Sequence, residues 1–162
     1  MNKHLYNASP QTPIRPPKLD WWQTETIYQI YVKSFYDANG DGVGDLRGVR
    51  EKLDYVKGLG TNAVWLSPIN PSGGKDGGYD VTSFTQIDPV YGTERDFDEL
   101  VEAVHSRGMY IRLDLVPNHT STQHNWFRES CKSSEASNPY RDYYVWYPSE
   151  DKVNPPNNWV YI

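Results

Sequence analysis

The feature that most constrains this chain is an alternation along its length. Three short apolar runs, Thr26–Phe35 (TIYQIYVKSF), Ala63–Ile69 (AVWLSPI) and Tyr110–Val116 (YIRLDLV), are separated by two stretches with helical spacing. The runs are rich in β-branched and aromatic residues, which predicts strands. The second and third are compact enough to be buried on both faces, as in a parallel sheet. Between the first two, Leu46, Val49, Leu53, Val56 and Leu59 recur three and four apart. That spacing predicts one helix, closed by Gly60. Between the second and third, Thr93 is placed to cap a helix, with Asp96 three residues on as its acidic partner. Phe97, Leu100, Val101 and Val104 make that helix's apolar face, and Gly108 ends it. Strand, helix, strand, helix, strand is the pattern of βαβ units, so the chain reads as an α/β fold with a parallel sheet.

The flanks differ. Residues 1–19 are polar, with Pro10, Pro13, Pro16 and Pro17, and read as a disordered leader without the apolar core of a secretory signal. Asn7-Ala8-Ser9 fits a glycosylation triplet, a pattern common by chance. From residue 120 the chain is polar, aromatic and proline-interrupted, with a short helix expected near Asn125–Cys131. Its end shows no closing element, so the chain is expected to be cut from something longer. A net charge of −5 and no basic stripe argue against a nucleic-acid partner. Cys131 is the single cysteine, so neither an internal disulfide nor a cysteine-rich metal site is expected. No run of about 18 apolar residues suggests a membrane span.

Three strings carry chemistry. In Asp37-x-Asn39-x-Asp41-Gly42-Val43-Gly44-Asp45, oxygens recur at every second position around a turn-making glycine. Side chains at 37, 39, 41 and 45 and the Val43 carbonyl suit a hard cation such as calcium. The bidentate glutamate of an EF-hand would fall at Gly48, so this is a calcium-type loop of another kind, or an Asx-rich turn capping the next helix. The second string, Asp76-Gly77-Gly78-Tyr79-Asp80, follows the second strand. There a carboxylate can accept from sugar hydroxyls while a ring stacks on a sugar's C–H face. The third, Asp114-Leu115-Val116-Pro117-Asn118-His119, ends the third strand. Period two puts Asp114, Val116 and Asn118 on one side. An aspartate buried there must find donors. His119, at the tip, is placed to donate to a substrate hydroxyl. Asn118-His119-Thr120 also fits a glycosylation triplet, set aside because it would lie inside the site.

IYQIYVKSFYDANGDGVGDLRGV, AVWLSP, GGYDV, IDPVYGT and DLVPNHTS, in this order and spacing, resemble the α-amylase family (glycoside hydrolase family 13). The nearest subgroup is the maltase and oligo-1,6-glucosidase type, and the likeness covers residues 20 to about 162. It implies the N-terminal part of a TIM (β/α)8 barrel, about three βα units over residues 20–118. Residues 119–162 would then be the start of domain B, the insertion after strand three. A complete barrel takes about 250 residues. The resemblance implies that Asp37, Asn39, Asp41, Val43 and Asp45 hold structural calcium. It implies that Asp76, Tyr79 and His119 contact the glucose just before the cut bond of an oligosaccharide. Asp114 and Asn118 would support that site's framework.

The family's nucleophilic Asp follows strand four, its acid/base Glu strand five, and a third Asp strand seven. None of these strands is expected here. Retaining cleavage needs two carboxyl groups about 5–5.5 Å apart across the bond. The chain alone is therefore expected to be inactive. The DWWQ start, VTSF-x-x-IDPVYGT and PPNNW also resemble the non-catalytic heavy chains of amino-acid transporters, the alternative reading. Retention of Asp76, Tyr79 and His119 favours the glucosidase.

Overall fold

The computed structural model of the chain describes residues 19–135 and 137–147. The expected leader up to residue 18, with its Asn7 triplet, and residues 148–162 of the expected insertion lie outside the described residues.

Three strands form one sheet: β1 (Ile27–Ile30), β2 (Ala63–Leu66) and β3 (Tyr110–Leu113). Their order is β1-β2-β3, and both pairs are parallel. Ile27, Ala63 and Tyr110 lie level, as do Ile30, Leu66 and Leu113. Because strand side chains alternate, this register sorts the sheet into two faces. Tyr28, Ile30, Val64, Leu66 and Ile111 share one face and belong to the hydrophobic core. Gln29, Trp65 and Arg112 share the other.

The helical layer covers the first face. Leu46, Val49, Leu53 and Val56 are fully buried, as their spacing predicts. The single expected helix is two, α2 (Leu46–Glu51) and α3 (Leu53–Gly58), broken at Lys52, whose φ −97° and ψ 3° leave the helical well. Leu59, expected on the apolar face, lies just past the end of α3 and is 52% exposed. α4 (Glu94–Ser106) matches its prediction closely. Thr93 and Asp96 form a reciprocal capping box, and Leu100 and Val104 are fully buried. Arg50 of α2 pairs with Glu99 of α4. Arg107 after α4 grips Asp54 of α3 with two hydrogen bonds of 2.7 and 3.2 Å.

Two strand expectations need correction. The first run is a strand only to Ile30; Val32–Phe35 is a one-turn helix, α1. The loop ahead of α2 folds back onto this turn: Gly44 N–H donates to the Lys33 carbonyl at 2.8 Å and Asp45 N–H to Tyr36 at 3.1 Å. Gly44 permits it, since a Cβ there would lie 2.0 Å from the Val32 carbonyl oxygen. The third run is not buried on both faces: Leu113 and Leu115 are 47% and 77% exposed. β3 is, like β1, an outer strand of the sheet and has a strand neighbour on one side among the described residues. Its ladder ends early, although Asp114 N–H still donates to the Leu66 carbonyl at 3.2 Å.

Beyond β3, α5 (Asn125–Ser130) lies where a short helix is expected. His124 caps it, accepting from Trp126 N–H at Nδ1. The buried ring packs against Phe84 and Trp126, and burial pulls its pKa down. No helix among the described residues is long and apolar enough to cross a membrane.

Candidate functional site

The face of the sheet away from the helices carries polar side chains, and they meet at the C-terminal strand tips. Asp114, one residue past β3, is half-buried and accepts at both oxygens. Trp65 of β2 donates its indole N–H to Oδ1 at 3.0 Å. Tyr79 donates its phenol to Oδ2 at 2.7 Å. The donors an aspartate needs at this position are therefore present. Among the described residues, no buried side-chain polar atom lacks a partner.

Tyr79 is presented by the loop after β2. Residues Asp76–Gly78 make one 3-10 turn, in which Asp76 (φ 51°) and Gly77 (φ 63°) both adopt left-handed backbone. Left-handed backbone is uncommon for an aspartate and marks a constrained position. The turn closes with Tyr79 N–H donating to the Asp76 carbonyl at 3.1 Å. The Tyr79 phenol pKa is raised, chiefly by its hydrogen bond to Asp114, then by burial and by the charges of Asp114 and Asp76. Asp76 thus lies within electrostatic reach of the phenol. Beside it Ser67, just past β2 and buried, accepts from Gln29 of β1 at Oγ at 3.4 Å. β2, through Trp65, and β3, through Asp114, thus together hold one tyrosine.

His119 joins the group from the other side. Its Nε2–H donates to the Tyr79 carbonyl at 3.1 Å, which leaves Nδ1 for a ligand. Asn118 and His119 border a cleft of about 600 Å³, whose other walls include Phe84, Leu115, Trp126 and Tyr143. That volume suits a small organic ligand. Asp76, Tyr79, Asp114 and His119 are therefore one contiguous group, with Asn118 on the adjoining cleft. The sequence reading misses Trp65 and Ser67. Their signal was the period-two spacing within AVWLSP, which places both on the side of Asp114 once the register is known.

The acidic loop is separate. Asp37 accepts from Gly40 and Gly42 N–H at 2.6 and 2.8 Å, and these bonds pull its pKa down, Gly42 most. Asn39 and Asp41 each accept from a backbone amide two residues on, and Asn39 Nδ2 donates to Asp41 at 3.1 Å. Asp45 is buried; it caps α2 through Gly48 N–H at 2.7 Å and holds Ala38 and Asn39 N–H with its other oxygen. Gly48 also shows why no glutamate stands there: a Cβ would lie 2.0 Å from the Tyr36 carbonyl oxygen. Among the described residues, no group of three His, Cys, Asp or Glu side chains is arranged to hold a metal ion. The loop adds the Asn39 side chain and the backbone carbonyl of Val43 to its carboxylates. Carboxylate, amide and carbonyl oxygens remain the donor chemistry a hard cation takes.

Comparison with known proteins gives the architecture its family. The family model for the alpha amylase catalytic domain matches residues 29–162. Over 140 residues the chain is 51% identical to an oligo-1,6-glucosidase of Heyndrickxia coagulans, covering 86% of this chain and 25% of that protein. It is 55% identical over 139 residues to a trehalose-6-phosphate hydrolase of Escherichia coli K12, covering 86% and 24%. The crystal structure of Bacillus licheniformis trehalose-6-phosphate hydrolase superposes with a TM-score of 0.79 at 49% identity, over 86% of this chain and 25% of that one. The chain thus spans about a quarter of the curated relatives it matches. A parallel sheet with its helices on one face, Asp114 and His119 at the strand tips and this match all agree: the chain belongs to the alpha-amylase family, and its βα units are the N-terminal part of that family's (β/α)8 catalytic barrel.

Proposed function

We propose that this chain is the sugar-holding quarter of a retaining α-glucosidase of the maltase or oligo-1,6-glucosidase type, acting on α-glucosidic bonds of oligosaccharides. Residues 20–118 are the first part of its barrel and residues 119–162 the start of its domain B. Asp76, Tyr79 and His119 hold the non-reducing glucose next to the bond to be cut, with Asp114 and Asn118 as framework. The observation that carries this reading is the fixing of Tyr79: its phenol is tied to Asp114 and its carbonyl to His119. A ring fixed at both ends offers a stacking face that costs little entropy when a sugar arrives. The Asp76 carboxylate then accepts from hydroxyls, charge-assisted and therefore strong. The carboxylates that cut the bond belong to the rest of the barrel.

Calcium fits the loop after α1. Asp37, Asn39, Asp41, the Val43 carbonyl and Asp45 would hold it, and it would offset the mutual repulsion of three carboxylates beside the strand tips.

Two titrations test the reading. Glucose added to the 162-residue chain should shift NMR signals around Tyr79 and His119, and Tyr79→Ala should abolish the shifts. The same chain should release no glucose from maltose; turnover would overthrow the division of labour. For the loop, calcium should raise the melting temperature of the chain, and the rise should vanish in Asp37→Ala. Magnesium is the control, because it demands a tighter octahedral site.

A further inference from the structure

Tyr79 is aimed by its oxygen. Asp114 holds that oxygen, so whatever fixes Asp114 fixes the ring. A half-buried carboxylate with one partner can swing about its side-chain torsions. With a donor on each oxygen it becomes a rigid bridge. Here one donor is the Tyr79 phenol at 2.7 Å, and the other is the Trp65 indole N–H at 3.0 Å. The indole suits the task. It carries a single donor, no acceptor and a ring fixed by the sheet, so it cannot reverse the bond. Trp65 sits in β2 on a hydrogen-bonded ladder between Gln29 and Arg112. Tyr79, in contrast, comes from a turn whose three residues, Asp76 to Gly78, all have positive φ. The route from Trp65 through Asp114 to Tyr79 therefore ties a loop residue to the middle strand.

We propose that Trp65 is a positioning residue for the Tyr79 ring, acting through Asp114. Its consequence for sugar affinity rests on the function proposed above; the positioning itself can be read without any sugar. Trp65→Phe keeps an aromatic ring and removes the N–H alone. Asp114→Asn interrupts the route from the other side and serves if Trp65→Phe folds poorly, with circular dichroism as the check on folding.

Three readouts on the 162-residue chain decide it. By NMR, the Trp65 indole N–H should exchange with solvent at least about tenfold faster in Asp114→Asn, and faster also in Tyr79→Phe, with whose side chain it shares no hydrogen bond. The Tyr79 ring signals, assigned by their loss in Tyr79→Phe, should move in Trp65→Phe. Glucose should bind Trp65→Phe several-fold more weakly, and Trp65→Phe should add nothing in a Tyr79→Phe background. Unchanged Tyr79 signals in Trp65→Phe would overturn the proposal, as would glucose effects of the two substitutions that simply add. Ring signals that move while even the parent chain ignores glucose would support the positioning and defeat the sugar reading instead.

Discussion

The two faces of the sheet are built on opposite terms. The face under the helices is dry: Ile30, Val64 and Leu66 meet Leu46, Leu53 and Leu100, all but completely buried and none with a polar atom to satisfy. The other face, one residue out of step, carries Gln29, Trp65 and Ser67, with Asp114 beyond β3, and is held by directed hydrogen bonds. A slip of one residue in register would exchange the two sets. The dry face fixes the register through area, and the wet face uses that register to bring Trp65 and Asp114 of neighbouring strands to one tyrosine. The apolar core and the polar cluster are thus separated by a single step of the pleat.

The sharpest way to break this division is to cut into the dry face. Leu66→Ala removes a fully buried side chain facing the helix layer. It should cost about 2–5 kcal/mol, the usual range for a core leucine. Urea denaturation would show the loss as a lower midpoint with an unchanged slope. The folded fraction should keep its Tyr79 signals. If they move as strongly as they do in a wet-face variant, the two faces are not separable.

The wet face should respond more mildly to loss and more specifically to pH. Asp114→Asn removes the charge from a bridge with two donors, and should cost about 1–3 kcal/mol. The phenol of Tyr79 now sits above its ordinary pKa of 10.0, mainly because it donates to that carboxylate. A raised folded pKa means that the bond contributes fully below about pH 10 and is lost as pH rises through the folded value. Asp114→Asn should bring the Tyr79 titration back toward the ordinary value, measured on ¹³C-labelled tyrosine. Tyr91, raised by burial in the core, is the internal control and should stay put. A Tyr79 titration that ignores the substitution would mean the 2.7 Å bond does not form in solution.

How much of this could be read beforehand also follows the two faces. The dry face was legible because burial imposes a period: Leu46, Val49, Leu53 and Val56 named the helix contact correctly even though the helix breaks at Lys52. Periodicity reports which residues face the core, and says nothing of whether the backbone runs unbroken. β3 was misjudged because an apolar run shows that a strand can be covered on both faces, not that it is; Leu113 and Leu115 lie on an outer strand. On the wet face, Asp114, Tyr79 and His119 could be picked out by residue type and resemblance. Trp65 could not, because its role depends on standing level with Gln29 and Arg112, a fact of register that no single segment contains.

The smallest expected effect lies in the helix layer's polar edge, and it completes the contrast by its opposite pH sign. Thr93 holds Asp96 at the start of α4 with its hydroxyl and its backbone N–H, at 2.6 and 2.8 Å, and these bonds lower the Asp96 pKa below 3.8. Asp54 beside Arg107 and Glu99 beside Arg50 are lowered as well. A depressed folded pKa contributes above the unfolded value and is lost as pH falls through the folded one. The helix layer should therefore weaken below about pH 4, while the Tyr79 tie weakens only in alkali. Thr93→Ala should cost about 1 kcal/mol at neutral pH, as cap removal usually does. In acid the parent chain loses part of that contribution, the hydroxyl–carboxylate bond, by protonation of Asp96, while the Thr93 hydroxyl still accepts from Asp96 N–H, so the two stability curves should draw closer. Curves that stay parallel down to pH 2 would place the value of the cap in the threonine alone, and the acid sensitivity of the helix layer would have to come from its surface ion pairs.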